Sequence, residues 1–323
     1  MSEDCQCGYF DYLAIILGIY VLLPKLFGIY DCIYKSFFLK QHDLLARYAD
    51  GNNSWVLVTG CTSGIGEEIA KRFASLGFNI ILVSRSMDRL NRVKSEIQHI
   101  TNNSVQTKIV VADFAKGGET IQMYEDIYQQ IKDLDIAILV NNAGVNTRSY
   151  FKDTSIEDIM DMVVVNTYPY TLLTRHLLHK LNERKTKSAI INICSSIVVN
   201  PCAFDAMYAS TKVYELFQME SLRREQAKVK DNKVDFLTLN PAYVSTNNAR
   251  LHPGGNVETT ETFINCAFKA LGNISVTYGT PKHCRNGYVL EVLSGLMHQF
   301  NAYHFVSEKI VGKLAAQMWE KRK

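Results

Sequence analysis

Excess charge of either sign is largely missing from this sequence: 323 residues carry a formal net charge of only +3. That balance gives no reason to expect nucleic acid as a partner. The terminal Lys321, Arg322 and Lys323 make no more than a solvated basic tail. Metal-binding cysteine spacing is also missing. Of eight cysteines, Cys5 and Cys7 are too close for a CxxC pair and the others are scattered, so no metal is expected. The scatter suits a reducing compartment. No internal repeat and no low-complexity segment interrupts the chain. Its length suits one large α/β domain plus an appendage.

The appendage is an apolar head. Tyr12–Leu23 reads YLAIILGIYVLL without a charge. Pro24 and Lys25 interrupt it, and apolar residues resume to Tyr30. A spanning helix needs about 20 apolar residues, which Tyr12–Tyr30 barely reaches. A cleaved signal peptide is disfavoured, because Glu3, Asp4 and Asp11 stand where a basic segment belongs. A buried core helix would be odd outside the domain, so a membrane anchor fits best. Lys25, Lys35, Lys40 and Arg47 follow the run and no basic residue precedes it, so the body is expected to face the cytosol. Residues 1–50 are taken as anchor and linker, with a polar linker at Asp50–Ser54. Residues 51–323 are taken as the catalytic body.

The body alternates strand and helix signatures. Short apolar runs predict strands at Trp55–Thr59, Asn79–Val83, Lys108–Ala112, Ile136–Val140, Ala189–Ile193 and Val234–Leu239. Helical spacing falls at Glu67–Leu76, Met87–Ile100, Ile156–Leu181 and Ala206–Lys228. This alternation predicts a parallel, doubly wound α/β sheet of Rossmann type. Ligands of such sheets bind at the carboxyl ends of the strands.

The first strand runs into Gly60-Cys61-Thr62-Ser63-Gly64-Ile65-Gly66 and then a helix. Glycines serve where a chain turns tightly and approaches a pyrophosphate, and the helix N-terminus adds free N–H groups. The spacing is GxxxGxG, in the strand-to-helix context a dinucleotide loop requires. Further on, Tyr208 and Lys212 stand one helical turn apart. A neighbouring ammonium favours the phenolate, which fits Tyr208 as an acid in reduction and a base in oxidation.

Seven motifs follow in order: the glycine loop, Asp113, Asn141-Asn142-Ala143-Gly144, Asn166, Ser195, Tyr208-xxx-Lys212 and Pro241-Ala242-xxx-Thr246. On these the chain from Ser54 onward resembles the short-chain dehydrogenase/reductase family. Within it the chain is most similar to the very-long-chain 3-oxoacyl-CoA reductases and 17-beta-hydroxysteroid dehydrogenases of the endoplasmic reticulum. Ser84-Arg85-Ser86, Val244-Ser245-Thr246, Glu261-Thr262-Phe263 and Asn286-Gly287-Tyr288 add to the likeness. Ala242 departs from the usual glycine, and Cys194 stands where the subgroup often has serine.

The resemblance implies roles for individual residues. Gly60, Thr62, Ser63, Gly64, Ile65 and Gly66 would hold the pyrophosphate. Asp113 would bind the adenine amino group, and Asn142, Ala143 and Gly144 would line the cofactor. Pro241, Val244 and Thr246 would close over the nicotinamide. Tyr208 and Lys212 would reach its ribose. Ser195, thirteen positions before Tyr208, would stabilise the substrate carbonyl, with Ser196 as the neighbouring alternative. Asn166 would hold a relay water. Asn141 is read instead as a tie between strands.

Cofactor choice follows from charge. Ser84 and Arg85 stand after the second strand, where an acid would mark NAD. Arg85 can grip a 2′-phosphate, so NADPH is expected. Arg92 and Lys94 are read as helix-surface charges. The expected substrate is an acyl-CoA or steroid ketone, and the expected location is the endoplasmic reticulum membrane. The competing reading is a catalytically silent, cofactor-binding membrane scaffold, but silent relatives lose the tyrosine or lysine and both are present. Specificity is expected from Ala249–His304, with Met297, Phe300, Tyr303 and Phe305 as candidates for a pocket, a membrane contact or core. Oligomeric state is left open, a homodimer included.

Overall fold

The computed structural model describes residues 9–118, 120–246, 254–255 and 257–299. All six expected strands form, each within one residue of its expected ends. They are β1 (Ser54–Thr59), β2 (Asn79–Ser84), β3 (Thr107–Val111), β4 (Asp135–Asn141), β5 (Ser188–Ile193) and β6 (Val234–Leu239). Two further pieces, β7 (Val244–Ser245) and β8 (Glu258–Thr259), pair with each other. A last short strand, β9 (Val276–Thr277), joins the edge of the main sheet. The main sheet has seven strands in the order β3-β2-β1-β4-β5-β6-β9, and every pairing is parallel. Strand order reverses between β1 and β4, which opens a crevice at their carboxyl ends.

The central strands β1, β4 and β5 are buried along almost their whole length. This is why they read as continuous apolar runs rather than alternating ones. Each fully buried valine, leucine or isoleucine contributes about 1.5–3 kcal/mol. The helices are α3 (Gly64–Ser75), α4 (Met87–Ile100), α5 (Gln122–Ile131), α6 (Ile156–Glu183), α7 (Ala206–Gln226) and α8 (Thr260–Ala270). Helices α3, α4 and α8 cover one face of the sheet through Ile69, Phe73, Leu90, Val93, Phe263 and Phe268. Helices α5, α6 and α7 cover the other through Tyr124, Ile127, Leu173, Leu177 and Met219.

Ahead of the sheet lie α1 (Tyr9–Phe37) and α2 (Leu44–Tyr48). Helix α1 runs unbroken through Pro24. Asp11–Phe37 is long and apolar enough to cross a membrane by length and composition, and none of it is buried in the protein. Its second half rests on α9 (Pro281–Gln299), where the Tyr288 hydroxyl donates to the Lys25 carbonyl at 2.6 Å. Helix α2 is part of the packed body. Leu44 and Tyr48 are buried in its core, and Arg47 and Tyr48 both bond Asp235. Asp50–Ser54, expected as a polar linker, is a short 3-10 turn leading directly into β1. The packed body therefore starts before the boundary expected after residue 50.

A buried ion-pair network ties this junction to the sheet. The Arg184 guanidinium meets Asp135 in two contacts of 2.7 Å and donates to the carbonyls of Tyr48 and Lys187 and to Ser54. A cavity of about 550 Å³ at the same end of the sheet is lined by Asp31, Lys35, Arg223 and Asp235 among others. None of the candidate residues lines it, because they all lie at the opposite, carboxyl end of the strands.

Candidate active site

The glycine loop follows β1 and ends as α3 begins. Gly60 and Gly64 have φ of +63° and +59°, a region costly for residues with a Cβ. A Cβ on Gly60 would lie 2.8 Å from the Ala143 Cα, and one on Gly64 would lie 3.0 Å from the Thr246 methyl carbon. The glycines thus bring three strand ends together: the loop after β1, the Asn142–Gly144 turn after β4, and Thr246 after β6. Asn142 locks this junction. Its side-chain nitrogen donates to the carbonyls of Thr59 and Gly60 at 2.9 and 3.1 Å, and its backbone N–H donates to the Thr59 hydroxyl. The backbone N–H of Ala143 shares that hydroxyl. Asn141 bonds Thr174 of α6 rather than a neighbouring strand.

The loop is braced from α4 as well. Arg92 donates to the Thr62 carbonyl at 3.0 Å and grips both carboxylate oxygens of Glu67. Its expected place as a plain surface charge is therefore incomplete. Ser84 reaches the same loop, its hydroxyl 3.2 Å from that of Thr62. Arg85 is exposed beside it, and Asp113 is half-buried at the end of β3. Cys61 is buried with its thiol directed at the Val83 carbonyl, and burial pushes that thiol up to about 12.

Helix α7 carries Tyr208 and Lys212. Its N-cap, Asp205, is buried and held by Arg148 and Asn146 from the loop after β4. This fixes the start of the helix, and Tyr208 stands in the first turn. Ser195, just past β5, faces the Tyr208 phenol and pulls its pKa downward. Its hydroxyl also accepts from the Ile197 N–H. The neighbouring Ser196 N–H donates to the Pro241 carbonyl, which links this turn to the loop after β6. The Lys212 ammonium lies 5.7 Å from the centre of the Tyr208 ring and 5.4 Å from that of Tyr170.

Asn166 is fully buried in α6. Its side-chain oxygen accepts from the Val145 N–H at 2.8 Å. Its nitrogen donates to the Val145 carbonyl and to Thr211, each at 3.0 Å. The side chain thus staples the loop after β4 to α7, and both amide hydrogens are used in doing so. This accounts for a polar residue within the apolar run of α6. A Cβ on Gly144 would lie 3.4 Å from the Asn166 oxygen and 3.6 Å from the Lys212 nitrogen.

Two residues that the sequence pattern did not single out complete the cluster. The Lys212 nitrogen donates to both Glu215 oxygens, at 2.8 and 3.0 Å, and to the Ile193 carbonyl at 3.0 Å. Tyr170 stands over the same ammonium and donates to the same carbonyl. Lys212 and Glu215 are 4% and 1% exposed. Burial works against the lysine charge, but Glu215, Tyr170, Tyr208 and Cys194 together outweigh it and hold Lys212 well above the usual lysine range. Burial pushes the Glu215 carboxyl above the usual carboxylate range, and the facing ammonium offsets this only in part. The two-pronged contact is that of an ammonium facing a carboxylate.

Tyr208 departs from expectation here. Burial raises its pKa, Lys212 lowers it, and Glu215 raises it again, so the net shift is upward rather than downward. The lysine charge acts as expected but is outweighed.

The cradle that the glycines keep open, beside the N-terminus of α3, fits a dinucleotide pyrophosphate, since backbone N–H groups at a helix start favour anions. Among the described residues, no group of three His, Cys, Asp or Glu side chains converges to hold a metal. Residues 247–253 and 300–323, with Phe300, Tyr303 and Phe305, lie outside the described residues, as does the side chain of Met297.

Comparison with known proteins agrees with this architecture. The chain is 35% identical to the very-long-chain 3-oxoacyl-CoA reductase of Bos taurus, over 71% of its own length and 72% of the relative's. It is 33% identical to hydroxysteroid dehydrogenase-like protein 1 of Gallus gallus, over 70% and 68%. Among solved structures, a short-chain dehydrogenase from Sphingobium yanoikuyae in complex with NADPH superposes with a TM-score of 0.62 at 24% identity. The match covers 76% of this chain and 95% of that one. A structure concerned with 7beta-hydroxysteroid dehydrogenase stereoselectivity superposes at 0.67 with 21% identity, covering 79% and 100%. The profile of the short chain dehydrogenase family matches residues 54–253, and the chain belongs to that family.

Proposed function

We propose that this chain is a membrane-anchored, NADPH-dependent reductase of a ketone on a lipid-like substrate, a 3-oxoacyl-CoA or a ketosteroid. The observation that carries this reading is the Ser195–Tyr208–Lys212 cluster at the carboxyl end of β5, beside a glycine loop that leaves room for a dinucleotide. The names of the relatives support the substrate class.

NADPH, when bound, supplies the hydride. The protein supplies the rest. The Ser195 hydroxyl donates to the substrate carbonyl oxygen and stabilises its developing charge. The Tyr208 phenol gives that oxygen its proton. Lys212 stabilises the phenolate left behind and reaches the nicotinamide ribose. Asn166 and Asn142 keep the surrounding loops in register. Gly60, Thr62, Ser63, Gly64, Ile65 and Gly66 hold the pyrophosphate, Asp113 the adenine, and Ala143 and Gly144 the path between them. Pro241, Val244 and Thr246 would close over the nicotinamide. Ser84 and Arg85 select the 2′-phosphate, since no acid stands there to repel it. Helix α1 holds the body on the endoplasmic reticulum membrane, facing the cytosol.

NADPH consumption by the detergent-solubilised chain, tested on a panel of 3-oxoacyl-CoA and ketosteroid substrates, measures the activity. Tyr208→Phe is expected to lower turnover at least about a hundredfold with little change in cofactor affinity. Near-normal turnover in that variant refutes the assignment.

A further inference from the structure

The proton-handling pair has a third, buried partner whose placement the reduction chemistry alone does not require. The proton transfer asks of Lys212 only a positive charge near Tyr208. Yet its ammonium faces three protein acceptors, both Glu215 oxygens and the Ile193 carbonyl. Glu215 lies one turn further along α7, on the face turned into the protein, at 1% exposure. Buried carboxylates are rare. A pair of this kind is a poor stabiliser, because well-packed apolar residues of similar volume often do as well or better. Filling space or adding stability is therefore a weak account of a carboxylate at this position.

Electrostatics gives a stronger one. A lone ammonium against the Tyr208 ring would favour the phenolate. A carboxylate bound to that ammonium leaves the pair with no net charge and removes much of the effect. The other groups facing Tyr208 and Lys212 are Tyr170 from α6, and Cys194 and Ser195 at the end of β5. The Cys194 thiol is directed at the Lys212 carbonyl, and burial pushes it upward. Burial likewise lifts Tyr170. Both are neutral, so Glu215 is the one carboxyl group among these.

We propose that Glu215 is a positioning residue for the proton donor: by binding the Lys212 ammonium on two prongs it fixes the lysine and offsets its charge, so that Tyr208 gives up its proton at a higher pH than Lys212 alone would set, which favours the protonated form that ketone reduction uses. This rests on the assignment of Tyr208 as the proton donor. The upward net shift of Tyr208, to which Glu215 contributes, has the required direction.

The sign of the test follows. Glu215→Gln keeps the shape and removes the negative charge. Lys212 then acts unopposed, and Tyr208 ionises at lower pH. Two measurements on the full chain in detergent read this. The first is the tyrosinate absorbance titration of the protein without cofactor or substrate, taken as the difference from the same chain carrying Tyr208→Phe. The second is the pH profile of alcohol oxidation, which needs the phenolate and so rises with pH. In Glu215→Gln both are expected to move to lower pH by at least about one unit, the size of shift a nearby unit charge causes. Glu215→Asp keeps the charge and restores most of the original profile. If Glu215→Gln does not fold, Glu215→Met removes the same charge and gives the same reading. An unmoved titration and profile in a folded, uncharged variant overturns the proposal. If Tyr208→Phe keeps full turnover, the assignment of the proton donor fails instead. If Tyr208→Phe is inactive and Glu215→Gln is unshifted, only the role of Glu215 fails.

Discussion

Gly66→Ala places one methyl group at the tightest point of the glycine loop. Its Cβ would overlap the side-chain nitrogen of Asn142 and stand 2.7 Å from the Gly60 carbonyl oxygen. Carbon contacts settle at about 3.5–4.0 Å, so something must move. The Gly60 backbone is held by its own N–H bond to the Val83 carbonyl, 2.9 Å long, which leaves Asn142 to give way. That breaks its bonds to the carbonyls of Thr59 and Gly60. Two such bonds are together worth about 1–3 kcal/mol net. Overpacking adds about 1–3 kcal/mol, and the better helix propensity of alanine returns about 1 kcal/mol. The expected loss is therefore about 3 kcal/mol, the middle of these ranges. A domain of this size loses about 2–4 °C per kcal/mol, so Tm should fall by about 6–12 °C. Thermal unfolding by near-ultraviolet circular dichroism measures it. NADPH fluorescence titration should show weakened cofactor binding, because the same amide holds the loop shape. Removing the obstacle should help: Gly66→Ala with Asn142→Ala should lose at least about 1 kcal/mol less than the two single losses added, as groups in contact couple by that order. Strict additivity, or a Gly66→Ala Tm equal to wild type, refutes this account of the loop.

Other expectations follow from separate parts of the structure. Arg85→Ala should weaken NADPH about ten- to hundredfold while leaving NADH nearly unchanged, from the roughly 1.5–3 kcal/mol of a charge-assisted bond; Ser84→Asp should go further by adding repulsion. Equal weakening of both cofactors in binding titrations overturns the selectivity argument. Arg184→Ala should cost about 1–3 kcal/mol, since the Asp135 side chain it leaves behind is 34% exposed and water takes up part of the loss, read by denaturant unfolding. Burial tends to raise the Asp135 pKa, but the hydrogen bonds from Arg184 and Ser54 outweigh it and hold it below the usual range. Its stabilisation is therefore full above about pH 4, the unfolded value, and is lost as pH falls through the folded value. The acid limb of the stability curve should flatten in the variant. The sequons at Asn52, Asn102 and Asn273 should stay unglycosylated in a microsomal expression test, since basic residues follow the apolar helix; glycan on any of them would reverse the topology.

The motifs and the strand alternation were legible because both are local. β1, β2, β4, β5 and β6 are buried on both faces, so each appears as an apolar run whatever packs against it; β3, at the sheet edge, is only partly buried. β9 escaped because two residues carry no period. Helices α5 and α8 were not expected, although Tyr124, Ile127 and Ile131 in one and Phe263, Ile264, Ala267 and Phe268 in the other fall at helical spacing. The body starts earlier than expected for a similar reason. Leu44 and Tyr48 look like the tail of a linker until Arg184 and Asp235, far along the chain, are brought to them.

The same limit explains the one site property that came out with the opposite sign. From the sequence, Tyr208 and Lys212 are a phenol and an ammonium one turn apart, and the expected result is a lowered tyrosine pKa. Glu215 was equally visible, three positions beyond Lys212, where an acid on a helix normally makes an exposed surface pair of small effect. What changes its weight is burial, and burial depends on β5 and α6 closing over that face of α7 through Ile193, Cys194 and Tyr170. Once enclosed, the carboxylate is no longer screened, and its pull on the ammonium competes with the stabilisation of the phenolate. Motif spacing therefore points to the groups proposed to handle the proton. The pH at which they would exchange it depends first on the burial of Tyr208 itself and then on this neighbour, and both exist only in the folded chain.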